Sequence, residues 1–274
     1  MSTDLGLFGP DSVSWRVHRE PVLWLAGLRA LYLQALHPRA VAGVVQNSDF
    51  RRDCWPRLMR TAEYVGTVVY GTTEQAEKAG RRVRRIHDRL RAHDPVTGEE
   101  FRIDDPHLLR WVHVTEVESF VSTARRARIG LTDADVDRYY AEQTRAAALV
   151  GLDPATVPAS AAEVDEFYRS IRPELALTAE ARDVARFLTV PPMPGRVVAL
   201  GRPAWLGVAT AAFALLPRWA RRLYRLPGLP TTDVAASLTV LGLRGVINAL
   251  PVRDGPIYRE AMRRAEQAHG EVAA

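Results

Sequence analysis

Along this chain apolar residues recur at spacings of three and four far more often than they alternate, which predicts a helical protein. "PVLWLAGLRALYLQALHP" (21–38) opens on a proline at a first helical position and stops just before another, predicting one long buried helix. "PRLMRTAEYVGTVVYGTT" (56–73) has the same form, with Gly71 at its end. "TTEQ" (72–75) then starts a helix with a capping-box pattern, running to about residue 92. In "HDPVTGEEFRIDDP" (93–106), Asp-Pro and Thr-Gly surround a short extended piece at 101–103, so a small hairpin or loop is expected. Asp105 and Pro106 open a helix reaching about residue 129 and closed by Gly130; "TDAD" (132–135) opens the next, closed near Gly151, and "SAAE" (160–163) begins another. "VPPMPG" (190–195) breaks the chain, and apolar segments follow near 196–216, 218–226 and 231–250. The pattern predicts a single all-α domain of about ten helices over residues 8–250, with 251–274 as a C-terminal helix or tail.

With 274 residues, 47% of them hydrophobic, the chain can bury a sizeable core. The most apolar run, "AWLGVATAAFALL" (204–216), stops at Pro217 and is too short to span a bilayer. The start, "MSTDLGLFGPDS", lacks the basic residues and apolar centre of a secretory signal, and the single Cys54 has no internal disulfide partner, so a cytoplasmic location is expected. The net charge is +5, and Lys78 is the only lysine among 37 basic residues. The arginines are spread along the chain among 32 acidic residues, which argues against a nucleic-acid partner. A local cluster of them could hold the carboxylates of a cofactor.

No C-x-x-C, H-E-x-x-H, G-x-G-x-x-G or P-loop pattern occurs, which disfavours structural zinc, zincin, dinucleotide and kinase-like chemistry. In "RRVRRIHDRLRAHDP" (81–95), His87 stands with Val83 and Leu90 on one helical stripe, among six arginines. Its imidazole is either a haem-iron ligand, with arginines such as Arg84 and Arg85 one turn away for the propionates, or a core histidine bonded to backbone. In "LLRWVHVTEVESFV" (108–121), His113 and Glu116 share a stripe with Leu109 and Phe120, which suits either metal or acid–base work or a buried polar pair that fixes helix packing. In "RLMRTAEY" (57–64), Arg57 and Thr61 are one turn apart, with Arg60 and Tyr64 adjoining; they are donors for bound dioxygen, peroxide or a substrate carbonyl, or simply a surface helix.

In order and at ordinary spacing, "GPDSVSWRVHREP", "LQALHPRAVAGV", "RLMRTAEYVGTVVYGT", "IHDRLRAHDPVTGEEFRIDDPHLLRWVHVTEVESF" and "DRYYAEQ" resemble the haem-dependent oxygenases related to latex clearing protein and fungal MpaB. The resemblance covers roughly residues 8 to 250. It implies a globin-like helical core, a b-type haem with His87 as proximal ligand, nearby arginines on its propionates, and Arg57, Arg60 and Thr61 on the distal side. His113 and Glu116 are then pocket or proton-relay residues, with His113 and His37 the alternative ligand positions. Arg60 stands where the rubber oxygenases carry a lysine; a guanidinium cannot become the neutral amine that ligates iron. The implied partners are dioxygen or peroxide and a small apolar or aromatic intracellular substrate. The alternative from a different class is a non-catalytic protein binding lipid or a membrane surface, carried by "PRWARRLYRL" (217–226), whose Trp219, Leu223 and Leu226 lie near one face among arginines.

Overall fold

A computed structural model describes residues 3–49, 51–52, 54–193, 198–250 and 254–273. The protein is all-α: among the described residues it forms thirteen α-helices and one two-stranded ladder. These are α1 (Val13–His18), α2 (Trp24–Gln34), α3 (Pro38–Asn47), α4 (Cys54–Tyr70), α5 (Thr73–Arg89), β1 (Arg91–His93), β2 (Glu100–Arg102), α6 (Pro106–Arg126), α7 (Asp133–Leu149), α8 (Ala161–Ile171), α9 (Ala179–Thr189), α10 (Val198–Ala214), α11 (Arg218–Leu223), α12 (Pro230–Ala249) and α13 (Pro256–Ala273). No helix among the described residues is long and apolar enough to cross a membrane.

The body of the fold is built on α2 and α6. α2 buries seven of its eleven residues, among them Leu25, Leu28, Tyr32 and Leu33, and α6 answers with Trp111, Val114, Val117 and Val121. α7, α8, α10 and α12 complete this core through Tyr139, Tyr168, Leu215 and Val240. Polar groups buried at the α2–α6 seam are paired, as their desolvation requires. The Arg29 guanidinium donates to the Glu118 carboxylate (Nη2 to Oε1, 3.0 Å) and to Ser119 Oγ (2.6 Å) on α6, and to the Leu215 carbonyl (2.9 Å).

Helix starts follow the capping residues. Thr72 and Gln75 form the expected capping box on α5, Thr132 and Asp135 form another on α7, and Asp105 accepts from the His107 amide ahead of Pro106 at the start of α6. Where the sequence predicts one helix over 21–38, the chain makes a 3₁₀ turn at Pro21–Leu23, then α2, and Pro38 opens α3 instead of merely ending its predecessor. The interruption at 93–106 is an antiparallel ladder slightly earlier than expected, with Ala92 opposite Phe101.

The segment on which the alternative lipid- or membrane-surface reading rests (217–226) is partly packed into the body and partly exposed, Leu226 included. α11 is only six residues long, and its Arg221 is buried, donating to the Ala214 carbonyl (2.6 Å), the Leu216 carbonyl (3.0 Å) and Asp233 Oδ1 (2.7 Å). Trp219 packs into the body against Tyr168, under the Arg172 guanidinium. One arginine and the aromatic residue of that face thus belong to the interior, because Asp233 and three backbone carbonyls give the guanidinium the partners that water would otherwise supply.

Candidate active site

α4 and α5 form a helical hairpin around Gly71. At its other end Trp55 packs against Trp205 (centroids 4.9 Å) and donates to the Pro192 carbonyl (3.1 Å), and Asp88 accepts from Arg102 (2.8 Å), but the fully buried residues lie towards Gly71. α4 buries only Val68, Val69 and Tyr70, and α5 buries only Ala76 and Gly80. There the hairpin is well seated: Tyr70 Oη donates to the Trp15 carbonyl (3.2 Å), and Gly80 lies so close to Leu149 of α7 that a Cβ would meet it at 2.7 Å. The other end carries Arg57, Arg60, Thr61 and Tyr64 on α4 and Val83, His87 and Leu90 on α5, none of them buried. α5 packs against α4 and α7, α4 against α5, α1 and α13, and neither makes more than marginal contact with α6.

The face that α6 leaves free carries the polar stripe read from the sequence. His113 and Glu116 are half-buried and, among the described residues, form no hydrogen bond or ion pair. Their desolvation is nonetheless complete enough to pull the His113 imidazole down to about 4 and to push the Glu116 carboxyl up to about 7. Near neutral pH this face of α6 therefore presents a neutral imidazole and a carboxyl poised between its two protonation states. Glu118, two residues on, points to α2 and spends its charge on Arg29, so Glu116 is the free carboxyl of the pair.

Three groups converge on the same region from other helices. Burial and then the charge of Glu116 push the Tyr64 hydroxyl up, which puts α4 within electrostatic reach of α6. Tyr139 of α7 is likewise raised by burial and then by Glu116, and its Oη lies 3.0 Å from His18 Nε2 at the end of α1. The His18 ring stacks on Phe120, with centroids 4.5 Å apart, and burial pulls its imidazole down to about 4. α1 holds this position because Glu142 of α7 accepts from the Val13 and Ser14 amides (3.2 and 2.9 Å) and from Ser14 Oγ (2.8 Å), capping the helix from outside.

His87 lies half-buried on the inner stripe of α5. Burial lowers its pKa against the opposing pull of Asp104, and its Nδ1 is buried without a hydrogen-bond partner. Such an atom costs free energy until something occupies it. Arg84 and Arg85 are exposed, Arg85 over a surface depression shared with Arg82, Ile86, Arg89 and Leu90. Arg57 is half-buried, Arg60 and Thr61 are exposed, and Thr61 Oγ1 donates to the Arg57 carbonyl at 3.1 Å. His37 is not part of this region; its neighbours are His107 and Trp111. Sequence reasoning missed His18 and Tyr139, which meet only through tertiary packing. The signal for His18 was its place at the end of a serine-capped amphipathic turn.

A family model described as "ER-bound oxygenase mpaB/B'/Rubber oxygenase, catalytic domain" matches residues 15–249. Nothing matches among curated proteins or among solved structures.

Proposed function

The chain belongs to the mpaB and rubber-oxygenase catalytic-domain family, and from that premise we propose that it is a haem b-dependent oxygenase or peroxygenase acting on a small apolar or aromatic substrate. One observation carries the reading: the α4–α5 hairpin is buried mainly towards Gly71, while His87 Nδ1 on α5 is buried without a hydrogen-bond partner and Glu116 on α6 is desolvated without one. Two amphipathic helices do not hold an unpacked seam of this kind in place unless something fills it.

The residues fit haem. His87, whose buried Nδ1 has no partner in the protein, would be the iron ligand, with His113 of α6 as the alternative. Arg84 lies one turn from His87, where a long guanidinium side chain could reach a propionate carboxylate, and Arg85, two residues away, lies on another face of α5 and would have to reach around the helix. Bound there, haem would supply the redox chemistry with dioxygen or peroxide. The chain's own part is positional and protonic. Arg57 and Arg60 would donate hydrogen bonds towards the oxidant from α4, with Thr61 able to do so only by giving up its bond to the Arg57 carbonyl, and a guanidinium at position 60 cannot compete for the iron as an amine would. Glu116, at about 7, takes a proton at its carboxylate or gives one from its carboxyl near neutral pH. Phe120 and the His18–Tyr139 pair close the inner wall with apolar surface and one hydroxyl.

Haemin titration of the purified protein tests this. A one-to-one complex with a Soret band is expected, lost in His87→Ala and kept in His113→Ala. If the wild type refuses haemin, the haem reading fails. If His113→Ala loses haem while His87→Ala keeps an unchanged spectrum, the ligand belongs to α6.

A further inference from the structure

Away from the α4–α6 seam, three potential metal ligands meet where three segments converge. His37 immediately precedes α3, His107 is the second residue of α6, and Glu174 ends the 3₁₀ turn Arg172–Glu174. One ligand atom from each lies within 4.8 Å of the others. His107 Nε2 sits 2.7 Å from Glu174 Oε2, and His37 Nε2 sits 3.6 Å from the same oxygen. The segments are stiff here, since each ligand adjoins a proline, Pro38, Pro106 or Pro173. The Ala176 amide also donates to the Leu36 carbonyl at 2.9 Å, which ties the chain just past the turn to the end of α2.

What sets this cluster apart from a surface ion pair is His37. Its side chain is 4% exposed, and both ring nitrogens are buried without a hydrogen-bond partner. A buried imidazole normally satisfies at least one nitrogen. Here Nε2 faces Glu174 across a gap too long for a hydrogen bond and close to the spacing of two ligands on one ion. With metal–ligand bonds of about 2.0–2.2 Å, tetrahedral ligand atoms stand roughly 3.3 Å apart. The two observed separations, 2.7 and 3.6 Å, bracket that value, and Glu174 is exposed enough to adjust.

We propose that His37, His107 and Glu174 form a divalent metal site of the zinc class, separate from the haem site and independent of it. Two imidazole nitrogens and one carboxylate oxygen suit a borderline cation such as Zn²⁺ and not Mg²⁺ or Ca²⁺, which take oxygen. Water completes the fourth position, because His107 and Glu174 are open to solvent. On binding, the cation replaces the proton between His107 Nε2 and Glu174, and that proton moves to Nδ1 or to solvent. The ion clips the α2–α3 junction, the start of α6 and the 172–174 turn together, and so fixes the end of the helix that carries His113 and Glu116.

The test uses the full chain, stripped with chelator and desalted, with Zn²⁺ as titrant in isothermal calorimetry and Mg²⁺ as control. One equivalent of Zn²⁺ should bind, with a raised melting temperature, and Mg²⁺ should give no heat. His107→Ala and Glu174→Gln alter exposed side chains and should fold, as circular dichroism would verify. Each should weaken Zn²⁺ binding by at least the 10–100-fold that loss of an outer-sphere partner alone costs. His87→Ala should bind Zn²⁺ like the wild type, whatever it does to haem. No stoichiometric uptake by the folded wild type, unchanged affinity in both ligand variants, or loss of Zn²⁺ in His87→Ala would each overturn the proposal.

Discussion

Burial alone lifts the Glu116 carboxyl from an ordinary value near 4.5 to about 7, and that rise has a sign in the stability of the haem-free protein. Between those values the folded chain keeps a proton that the unfolded chain has released, so raising the pH through this window costs stability. At about 1.4 kcal/mol for each tenfold change in proton affinity, the loss is of order 3 kcal/mol, complete above about pH 7 and absent near pH 4. Glu116→Gln, which cannot ionise, should therefore match the wild type in denaturant unfolding at pH 4.5 and exceed it at pH 8; parallel pH dependences would show that the carboxyl is solvated. His18 and His113, both pulled down to about 4, act in the opposite direction. Their unfolded forms take up protons below about 6.5 that the folded forms refuse, so they cost stability as the pH falls. On α4, Arg60→Ala and Thr61→Ala should retain haem yet slow turnover, by up to the 10²–10³ that one well-placed donor supplies. The larger loss should fall on Arg60, because Thr61 Oγ1 already donates to its own helix. Normal turnover in both variants, measured under single-turnover conditions, would make α4 purely structural. The polar stripe of α6 was legible in the sequence because three- and four-residue spacing fixes which side chains share a helix face. The His18–Tyr139 contact was not, since it joins residues 121 positions apart.

Two helix contacts decide whether the site can form. α5 is seated on α7 at Gly80, where an added Cβ would meet the Leu149 Cβ and its carbonyl oxygen at 2.7 Å. Backbone cannot give way as a side-chain tip can. Gly80→Ala should cost about 1–3 kcal/mol through overpacking, even though alanine is the better helix former, and should weaken haem binding by displacing His87. Full stability with native haem affinity would mean that the α5–α7 seam is slack. Gly43→Ala is the comparison, because its Cβ would meet only the Ile103 Cδ1 methyl. At α1, Glu142→Ala strips the partners from two buried backbone amides and the Ser14 hydroxyl, and should cost about 2–3 kcal/mol in chemical denaturation. Arg138→Ala, which removes only an exposed partner of the same carboxylate, should cost under about 1 kcal/mol; equal losses would mean that the carboxylate matters as half of an ion pair. Helix starts marked by a side-chain cap could be read directly, as at α5 and α7. α3 could not, because Val41, Val44, Val45 and Gly43 depress helix propensity and only its packing on β1 and α9 holds it helical. For the stretch opened by "SAAE" only the helix start could be read. Pro173 divides it into α8, a 3₁₀ turn and α9.

At the scale of the whole molecule the burial is uneven, and the unevenness makes its own prediction. The body around α2 and α6 is a continuous apolar core, whereas the two 17-residue helices of the α4–α5 hairpin bury five residues between them, from Val68 to the middle of α5 at Gly80. Local stability follows buried apolar contact, so in the haem-free protein the free end of this hairpin should open at a small fraction of the global unfolding free energy. Its amides should exchange faster than those of α2, α6 and α7, and cleavage should begin there before any of these three is touched. A ligand that binds only the closed form adds RT ln(1 + [L]/Kd), about 2.7 kcal/mol at a hundredfold excess over Kd. That gain should fall on the segments that contact the ligand. Hydrogen exchange with and without haemin should therefore show new protection at 54–65 in α4, at 81–90 in α5 and on the His113–Glu116 turn of α6, with α10 and α12 unchanged. Protection spread evenly over the chain would mean that haemin only raises global stability. Protection confined to α10 and α12 would place the ligand elsewhere and remove the reason for reading the unpacked seam as the site. Zn²⁺ gives an internal contrast, because its protection should instead appear at the starts of α3 and α6 and across 172–176, leaving exchange at the free end of the hairpin as fast as before.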